Sequence, residues 1–598
     1  MAPAVSEEYM TMDEIQSKAR DYIRFEENEG FRKEMEDLLS SGNEQELSDR
    51  FYTDLSFGTG GLRGVIGAGY NRMNTYVVRR ATKGLAEYIV KTVPAESASV
   101  VIAYDSRNYS DVFALEAALV LCTEGVKVYL FESLRPTPEL SYALRELKAV
   151  SGIVVTASHN PPEYNGYKVY WDDGGQIVPP HDKGIIDQVR EVSGKIPVIT
   201  EKEARDKGLL VTIGKEIDDK FVEMIKGYSL NPELMMREGK NLKVVYTPLH
   251  GTGTMLVERI LSEMGIQVTT VPEQREPDGN FPTVDFPNPE EASALKLGLD
   301  LAKKDRADLL MGTDPDSDRL GIAVPGPGGE FVLVNGNELG SLLADYVFSQ
   351  HMEKGTMPDK PAMVKTIVTT ELQARIATSY GAACYDVLTG FKYIADKIKK
   401  FEEETGESYV FGGEESYGYL IETEVRDKDA VSAAFMTAEM ALYNRSRGWS
   451  VLDHLNDIHR RYGYFKEILI SKYFKGQKGL EIMNGLMETL RTNPPNAFGS
   501  LSVLSLKDYK DGTTTSLSGG TKLKDIDLPS SNVLQFLLDD GSVVTARPSG
   551  TEPKIKFYAS CCTDPGGELD RAKDEVGEKL EGIRVSLNSI IEKAESAG

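Results

Sequence analysis

Hydrophobic, β-branched runs alternate with amphipathic stretches through the first three quarters of the chain. The runs VVIAY (100–104) and GIVVTA (152–157) have the composition of buried strands, and DVFALEAALVLC (111–122) between them has that of a helix. Such alternation is typical of βαβ units, in which helices cover the faces of a sheet. The pattern restarts near residues 243 and 362, so the sequence predicts three related α/β domains in tandem.

The last quarter of the chain has a different pattern. Two strand-like runs, 533–550 and 554–561, precede a long helical stretch from about Glu568 to Glu595, which predicts a smaller C-terminal α+β domain. Polar stretches mark the joints between domains. We therefore predict four domains, with the boundaries 1–205, 206–325, 326–455 and 456–598.

The composition agrees with a multidomain globular protein. The 598 residues are too many for one hydrophobic core, and 40% of them are hydrophobic and 27% charged. The N-terminal sequence is acidic, and no run approaches the ~18 apolar residues of a membrane-spanning helix. We therefore expect a cytoplasmic protein with no membrane partner. Four cysteines are too few for a disulfide framework and lack the spacing of a zinc site.

The formal net charge of −25 limits the possible partners further. A field of this sign repels nucleic acids and acidic membranes, so we expect neither as a partner. A small anionic substrate would need a local cluster of Arg and Lys working against that field. The sequence indicates no oligomeric state.

Each predicted domain has one strand that ends in a polar loop. Ligands of open α/β sheets bind beyond the carboxyl ends of the strands, so these loops are the candidate sites. The candidates in the α/β domains are TASHNP (156–161), DPDSDR (314–319) and GGEESYG (412–418), and the last domain contributes RPSGTEP (547–553).

Three carboxylates alternate in the second of these loops, at Asp314, Asp316 and Asp318. In an extended loop they would converge on one side and supply the hard oxygen ligands that Mg²⁺ prefers. A calcium-binding EF-hand loop counted from Asp314 is excluded, because it requires Gly and Glu where the chain has Arg319 and Pro325. A solvated acidic turn is the remaining alternative.

Ser158 ends an apolar run and is followed by His159, Asn160 and two prolines, so its hydroxyl is expected to project from a tight loop. Most serines at such positions are caps or turn residues. A serine could instead carry a phosphoryl group if a metal ion and positive groups neutralise the transferring oxygens. Lys168, in NGYKVYW, is a candidate for one positive group.

Two further loops combine glycines or hydroxyls with an arginine. FGTGGLRG (57–64) joins several backbone N–H groups to the guanidinium of Arg63. These donors suit an anion, although a glycine-rich turn would have the same sequence. The loop RPSGTEP supplies a second compact set of donors for a phosphate group. This set consists of Arg547, Ser549, Gly550 and Thr551.

The remaining candidates carry less information. GGEESYG offers carboxylates and a hydroxyl, which suit pairs of vicinal sugar hydroxyls better than phosphate, and a charged turn is the alternative. His250, in TPLHGTG, and Lys365, in MVKTIVTT, also lie at the ends of predicted strands. Residues at such positions are more often structural than catalytic.

The four loops together resemble those of the α-D-phosphohexomutase family. TASHNP is similar to its phosphoserine loop, DPDSDR to its metal loop, GEESYG to its sugar loop and RPSGTEP to its phosphate loop, in the same order along the chain. The resemblance extends from about residue 50 to residue 580. It implies a heart-shaped fold of three related α/β domains and a smaller α+β domain around a central cleft.

The resemblance also implies a role for each loop. Ser158 would carry the phosphoryl group, its oxygen would complete a Mg²⁺ site, and glucose 1,6-bisphosphate would be the activator and intermediate. The predicted metal ligands are Ser158, Asp314, Asp316 and Asp318. The predicted catalytic residues are Ser158, Lys168, Arg63 and His159. The predicted substrate-binding residues are Glu414, Ser416, Arg319, Lys365, Lys392, Arg547, Ser549, Gly550 and Thr551.

Proton transfer is the least defined of these roles. Lys168 is a candidate general acid or base, and a neutral His159 would orient the loop or relay a proton. Lys392, in LTGFKYI, stands where some relatives carry a histidine. This departure leaves the second proton-transfer group open.

GEESYG resembles the glucose-type sugar loop of the family, so we expect interconversion of glucose 1-phosphate and glucose 6-phosphate. The segment NGYKVYWDDGGQIVPPHDKGI (165–185) resembles a branch that includes phosphopentomutases and glucose 1,6-bisphosphate synthases, so ribose or deoxyribose 1-phosphate is an alternative substrate. A metal-dependent phosphatase and a noncatalytic sugar-phosphate sensor are alternatives of other classes.

Overall fold

The computed structural model describes residues 10–57, 60–474, 476–549 and 553–597. The chain divides into two compact units. The first comprises Met1–Gly336, Ile394–Gly406 and Ser416–Tyr443, and the second comprises Asn337–Tyr393, Glu407–Glu415 and Asn444–Gly598. None of the described helices has the length and apolar character that crossing a membrane requires. The four domain boundaries given above stay a prediction.

Helices and strands alternate up to residue 335. The helices are α1 (Met12–Phe25), α2 (Glu29–Ser41), α3 (Glu44–Phe51), α4 (Thr75–Thr92), α5 (Ser110–Thr123), α6 (Thr137–Glu146), α7 (His181–Glu191), α8 (Glu201–Asp206), α9 (Lys215–Gly227), α10 (Pro232–Glu238), α11 (Arg259–Glu263), α12 (Pro272–Arg275) and α13 (Lys296–Asp305). The strands are β1 (Gly61–Val65), β2 (Ser99–Tyr104), β3 (Lys127–Phe131), β4 (Ser151–Val155), β5 (Tyr164–Trp171), β6 (Leu210–Ile213), β7 (Lys243–Thr247), β8 (Gln267–Thr270), β9 (Leu309–Thr313), β10 (Leu320–Pro325) and β11 (Phe331–Val334). A 3₁₀ turn (Gly239–Asn241) and a π-helical turn (Thr254–Glu258) lie among them.

The rest of the chain begins with a similar alternation and ends with antiparallel strands and long helices. The helices are α14 (Gly336–Lys354), α15 (Glu371–Ser379), α16 (Phe391–Lys400), α17 (Ala430–Ser446), α18 (Val451–Tyr462), α19 (Gly476–Thr492) and α20 (Leu569–Ala597), with a π-helical turn at Phe401–Thr405. The strands are β12 (Pro361–Thr366), β13 (Ala383–Val387), β14 (Ser408–Glu414), β15 (Gly418–Leu420), β16 (Tyr464–Tyr473), β17 (Ala497–Phe498), β18 (Leu501–Asp508), β19 (Thr513–Ser516), β20 (Lys522–Leu523), β21 (Leu534–Leu538), β22 (Val543–Pro548) and β23 (Lys554–Thr563).

Two mixed sheets form the frame of the first unit. One has the strand order β1-β5-β4-β2-β3-β6, and the other has the order β11-β10-β9-β7-β8. The pairs β2–β4, β2–β3, β3–β6, β7–β9 and β7–β8 are parallel, as the alternating pattern of the sequence predicts. Fully buried residues of β2 and β4, such as Val100, Ile102 and Ile153, lie in a core that also contains residues of α4 and α5.

Both loops that the sequence singled out in this unit are hairpin connections. β4 is followed by antiparallel β5, with Val154 opposite Lys168, and β9 is followed by antiparallel β10, with Thr313 opposite Leu320. Segments 156–163 and 314–319 are too short for a helical crossover between parallel strands, which takes roughly a dozen residues or more. Each loop is therefore held on both sides by the same sheet.

Three N-terminal helices precede β1, and the sequence analysis made no prediction of them. Thr11 caps α1, because its hydroxyl accepts the Glu14 N–H while the Glu14 carboxylate accepts the Thr11 N–H. Tyr22 of α1 and Phe51 of α3 are fully buried in the core described above. These helices therefore extend the first domain.

The second unit contains one parallel and one antiparallel arrangement. β12 pairs in parallel with β13 and with β14. The antiparallel sheet has the order β16-β23-β22-β21-β18-β19-β20, with β17 beside β18. Apolar residues of α19 and α20, including Met487, Leu580 and Ile583, pack with this sheet in one core. The predicted fold class, α/β domains followed by a smaller α+β domain, is confirmed.

Glu467 gives the second unit a predicted pH dependence. This half-buried residue of β16 accepts a hydrogen bond from Ser560 Oγ at 3.1 Å. Burial, with Glu338 as a further repulsive charge and the Thr370 hydroxyl opposing, raises its pKa to about 7. Because the pKa of this carboxyl is higher in the folded protein than in the unfolded chain, the group contributes stability that is fully present at pH values below the unfolded-state pKa. That contribution is lost as pH rises through the folded-state pKa of about 7.

We therefore expect Glu467→Gln to be more stable than the wild type at pH 8.5, by about 1 kcal/mol once partial exposure is allowed for, and equally stable or slightly weaker at pH 5. Thermal unfolding at both pH values measures the difference. Glu481→Gln, an exposed change of the same charge on α19, is the control. An unchanged pH dependence in Glu467→Gln would contradict the assignment.

Candidate active site

The loop between β9 and β10 brings three carboxylates together. Asp314, Asp316 and Asp318 are all buried, and one oxygen of each lies within 4.8 Å of the others. Among the described residues, Asp316 Oδ1 and Asp318 Oδ1 have no hydrogen-bond partner. Burial and the two neighbouring carboxylates raise the pKa of Asp314 well above its usual value. A divalent cation would relieve this repulsion and complete the orphaned oxygens, so the residues fit a Mg²⁺ ion.

The motif TPLHGTG packs directly against the loop that carries the three carboxylates. The Thr252 N–H donates to the Pro315 carbonyl at 2.8 Å, and a Cβ at Gly251 would lie 2.4 Å from Pro315 Cα. Only glycine permits this approach. His250 turns away to Thr283 Oγ1, at 2.9 Å from its Nε2, and to a backbone carbonyl. These contacts favour the structural interpretation of His250.

A threonine at the start of α6 makes two hydrogen bonds to the same loop. The Thr137 N–H donates to the Asp316 carbonyl at 2.9 Å, and the Thr137 hydroxyl donates to Asp316 Oδ2 at 2.9 Å. The sequence analysis missed this residue, because PTPEL reads only as the start of a helix with proline in its first turn.

Ser158 lies directly beside the acidic triad. Its Oγ donates to Asp314 Oδ2 at 2.8 Å and is 3.2 Å from His159 Nδ1. Burial and the positive charges of Arg319 and Arg63 hold the pKa of His159 well below its usual value, so the imidazole is neutral. The structure thus brings together two loops that are 156 residues apart in the chain.

Two lysines offset part of the negative charge of the triad. Lys168 Nζ, on β5, is 2.7 Å from Asp316 Oδ2 and 3.3 Å from Asp318 Oδ2. Lys428 Nζ is 3.1 Å from the same Asp318 oxygen and 2.9 Å from Asp427 Oδ1. The sequence analysis missed Lys428, because the alternating charges of VRDKDA are typical of a solvated turn. Its burial is a tertiary property that the local sequence does not signal.

The predicted arginines of this unit flank the two loops. Arg63 lies on β1, and its Nη1 is 3.4 Å from Asn160 Oδ1 in the serine loop. Arg319 Nη1 donates to the Ser416 carbonyl at 3.0 Å and to Glu290 at 2.7 Å. Ser416 is thereby placed next to the metal loop through its backbone.

The remaining predicted residues belong to the second unit. Glu414 ends β14 and accepts the Gly390 N–H at 2.8 Å. Lys365 is buried, with its ammonium 2.8 Å from Glu371 and 2.7 Å from Asp386, which raise its pKa against the effect of burial. Lys392 follows Gly390 by two residues at the start of α16.

Part of the predicted phosphate loop is described as well. Arg547 lies on β22 opposite Lys556, and the Ser549 N–H donates to the Lys554 carbonyl at 2.7 Å. Gly550 and Thr551 lie outside the described residues. The substrate-binding roles of this set, and those of Glu414, Lys365 and Lys392, stay predictions.

Comparison with known proteins agrees with this arrangement over most of the chain. Profiles described as phosphoglucomutase/phosphomannomutase match alpha/beta/alpha domain I at residues 54–195, domain II at 219–328, domain III at 335–462 and the C-terminal domain at 506–578. The N-terminal helices α1–α3 precede the first match.

Individual relatives carry two names. A phosphoglucomutase of Staphylococcus saprophyticus is 36% identical over 531 residues, which are 88% of this chain and 94% of the relative. A phosphopentomutase of Homo sapiens is 34% identical over 593 residues, which are 95% of each chain.

A solved structure supports the fold alone. The open form of parafusin (phosphoglucomutase) from Paramecium has a TM-score of 0.65 at 15% identity and covers 90% of this chain and 96% of its own. With four profile matches in order and relatives above one third identity across nearly the whole length, the chain belongs to the phosphoglucomutase/phosphomannomutase family, the α-D-phosphohexomutases, and is a phosphotransferase of the mutase type.

Proposed function

We propose that the protein interconverts glucose 1-phosphate and glucose 6-phosphate through phosphorylated Ser158 and a glucose 1,6-bisphosphate intermediate. The observation that supports this most directly is the 2.8 Å contact between Ser158 Oγ and Asp314 Oδ2, inside a buried triad of carboxylates. A serine used only as a turn residue would not need its hydroxyl on Asp314, one of three clustered buried acids. A serine that carries a phosphoryl group on a divalent cation does.

The proposed cycle begins with phosphorylated Ser158. The bond from its Oγ to phosphorus breaks, a sugar hydroxyl oxygen forms the new bond, and the proton lost by that hydroxyl is balanced by one gained at Ser158 Oγ. Asp316 and Asp318 raise the pKa of Lys168 against the effect of burial and keep it an ammonium, so we assign it as the general acid that protonates the departing Ser158 oxygen, following the family resemblance and its place beside the triad. When bound, Mg²⁺ would neutralise negative charge on the transferring phosphoryl oxygens. The bisphosphate then reorients in the site, and its other phosphoryl group is transferred to Ser158.

Positive side chains of the first unit support the transfer. Arg63 and Arg319 bring guanidinium groups to the two loops, which offsets the field of a protein with net charge −25. Neutral His159 lies within hydrogen-bonding distance of Ser158 Oγ and would orient it. Lys428 supplies a second ammonium at Asp318, and we propose it as a further positive group beside the metal loop.

The proposal assigns recognition of the rest of the substrate to residues named from the sequence. Glu414 and Ser416 would bind the sugar hydroxyls. The groups assigned to the phosphate that is not being transferred are Arg547, Ser549, Gly550 and Thr551, while Lys365 and Lys392 stay predicted substrate-binding residues with no particular substrate group assigned to them. Their roles rest on the family resemblance.

A pentose phosphate is the second candidate substrate. The human phosphopentomutase matches 95% of this chain, whereas the staphylococcal phosphoglucomutase matches 88%. Synthesis of glucose 1,6-bisphosphate is a further alternative within the same branch. All three activities would use Ser158 and the triad, so the sugar-binding residues decide between them.

Substrate choice can be measured directly. We expect kcat/KM for glucose 1-phosphate to exceed that for ribose 1-phosphate and deoxyribose 1-phosphate by about tenfold or more, because each unpaired polar group left by a poorly fitting sugar costs at least ~1 kcal/mol. Inorganic phosphate is assayed in the same reactions, since release without isomer would indicate a phosphatase. A ratio that favours the pentose phosphates would replace the glucose assignment with the pentomutase one.

A further inference from the structure

Ser158 has a left-handed backbone conformation, with φ of 51°. For a residue with a side chain this conformation costs about 1 kcal/mol, so surrounding groups must stabilise it. Within the loop itself, the Ser158 N–H donates to Thr156 Oγ1 at 2.8 Å and the Asn160 N–H donates to the Ala157 carbonyl at 3.1 Å. These two bonds leave the carbonyl oxygens from Ser158 onwards to other donors, of which the Tyr164 N–H binds that of Pro161 at 3.1 Å.

Arg107, in the loop that follows β2, binds these carbonyl oxygens. Its Nη2 donates to the Ser158 carbonyl at 2.5 Å and to the Asn160 carbonyl. Its Nη1 donates to the Pro161 carbonyl at 2.8 Å and to the Tyr164 carbonyl at 3.0 Å. One guanidinium group thus connects four carbonyls across the whole serine loop.

The guanidinium is itself held in place on two sides. Asp105 Oδ2 lies 3.3 Å from Arg107 Nε, and Asp105 Oδ1 accepts the Arg107 N–H at 3.0 Å and the Ser110 hydroxyl at 2.7 Å. Arg107 Cζ lies over the ring of Phe281, 4.9 Å from the centroid, at the distance of a cation–π contact. Both charged side chains are fully buried, so water is excluded from this ion pair.

We infer that Arg107 is a positioning residue for phosphoryl transfer: it fixes the backbone of the serine loop so that Ser158 Oγ stays in contact with Asp314. This inference rests on the proposed phosphoserine mechanism. Ser158 must present its oxygen in line with phosphorus twice in each cycle, and a displacement of about 1 Å costs on the order of 10²-fold in rate. A planar group with five donors can bind four carbonyls at once, whereas an ammonium group cannot.

Arg107→Lys tests this role because it keeps the charge and loses the planar set of donors. We expect kcat to fall by about 10²-fold, with KM for glucose 1-phosphate within about threefold of the wild type, since the loop is displaced but the substrate groups remain. Arg79→Lys is the matched control. Arg79, a buried residue of α4, forms ion pairs with Glu27 and Glu116, and these pairs do not involve the serine loop. Its replacement should leave kcat within about twofold.

Chemical rescue separates positioning from folding. In Arg107→Gly, guanidinium chloride at ~50 mM, far below the concentrations that unfold proteins, should restore kcat by about tenfold or more, and methylammonium chloride should not. Phe281→Leu removes only the aromatic contact and should lower kcat by less than Arg107→Lys does. Thermal unfolding of each variant is measured alongside.

Several outcomes would overturn the inference. One is a kcat of Arg107→Lys within about threefold of the wild type; another is loss of the folded state in both Arg107 variants without recovery in guanidinium, which would make Arg107 a folding residue. If Ser158→Ala is inactive in the same assay while Arg107→Lys is fully active, only the role of Arg107 fails. If Ser158→Ala is itself active, the phosphoserine mechanism fails first.

Discussion

Replacing Ser158 with alanine is expected to lower the kcat of the mutase by about 10⁴-fold or more, because the variant has no oxygen to carry the phosphoryl group between the two positions of the sugar. Binding of glucose 1-phosphate should stay within about threefold, since the arginines and the sugar-binding residues are unchanged. The change removes one oxygen atom from a residue in the loop that follows β4, so the fold should be retained. Coupled assay of glucose 6-phosphate formation and calorimetric titration measure the two quantities.

The control and the contrary outcome are both defined. Ser99→Ala removes the same atom from the start of β2, where the hydroxyl donates to the Ser97 carbonyl, and should leave activity unchanged. Intact mass after incubation with glucose 1,6-bisphosphate should show an added phosphate on the wild type and on Ser99→Ala but not on Ser158→Ala. Activity of Ser158→Ala near the wild-type level would exclude Ser158 as the carrier.

Removal of divalent metal is the second change with a large expected effect. In excess chelator we expect turnover to fall by about 10³-fold or more and to return on addition of Mg²⁺, because the triad would then face a phosphoryl group with its own negative charges uncompensated. The melting temperature should rise with Mg²⁺ concentration, since an ion that binds only the folded state stabilises it by mass action. Circular dichroism should show little change.

Asp316→Asn assigns that effect to the triad. This variant should lose both turnover and the Mg²⁺-dependent rise in melting temperature. Asp285→Asn, an exposed change of the same charge, should keep both. Full turnover in chelator, or an unchanged Mg²⁺ response in Asp316→Asn, would show that the triad is not the metal site.

Most of the fold class and several loops were predictable because their signals are local. Alternating apolar runs marked β2, α5 and β4, and the spacing of Asp314, Asp316 and Asp318 indicated a cation before any contact was known. The strand alternation did not distinguish parallel neighbours from hairpins. That distinction depends on the length of the connecting segments, which the pattern of apolar runs does not take into account.

The residues that were missed act through tertiary contacts. Lys428 sits among alternating charges typical of an exposed turn, and its burial depends on Asp318, more than 100 residues earlier in the chain. Arg107 binds backbone carbonyls, and since every residue has one, no residue type in the sequence marks these partners. The helices α1–α3 fall within the predicted first domain, 1–205, but their ordinary amphipathic sequences were not recognised as helices, and their packing in its core was not predicted.

The hairpin of β4 and β5 sets a limit on how the length of this chain can vary. Ser158 and Lys168 belong to one continuous segment, and Val154 pairs with Lys168 across the two strands. Since side chains on a strand point alternately to opposite faces, one residue inserted between Tyr164 and Lys168 would turn the ammonium away from the triad. The spacing from serine to lysine is thus as much a part of the chemistry as the two residues themselves.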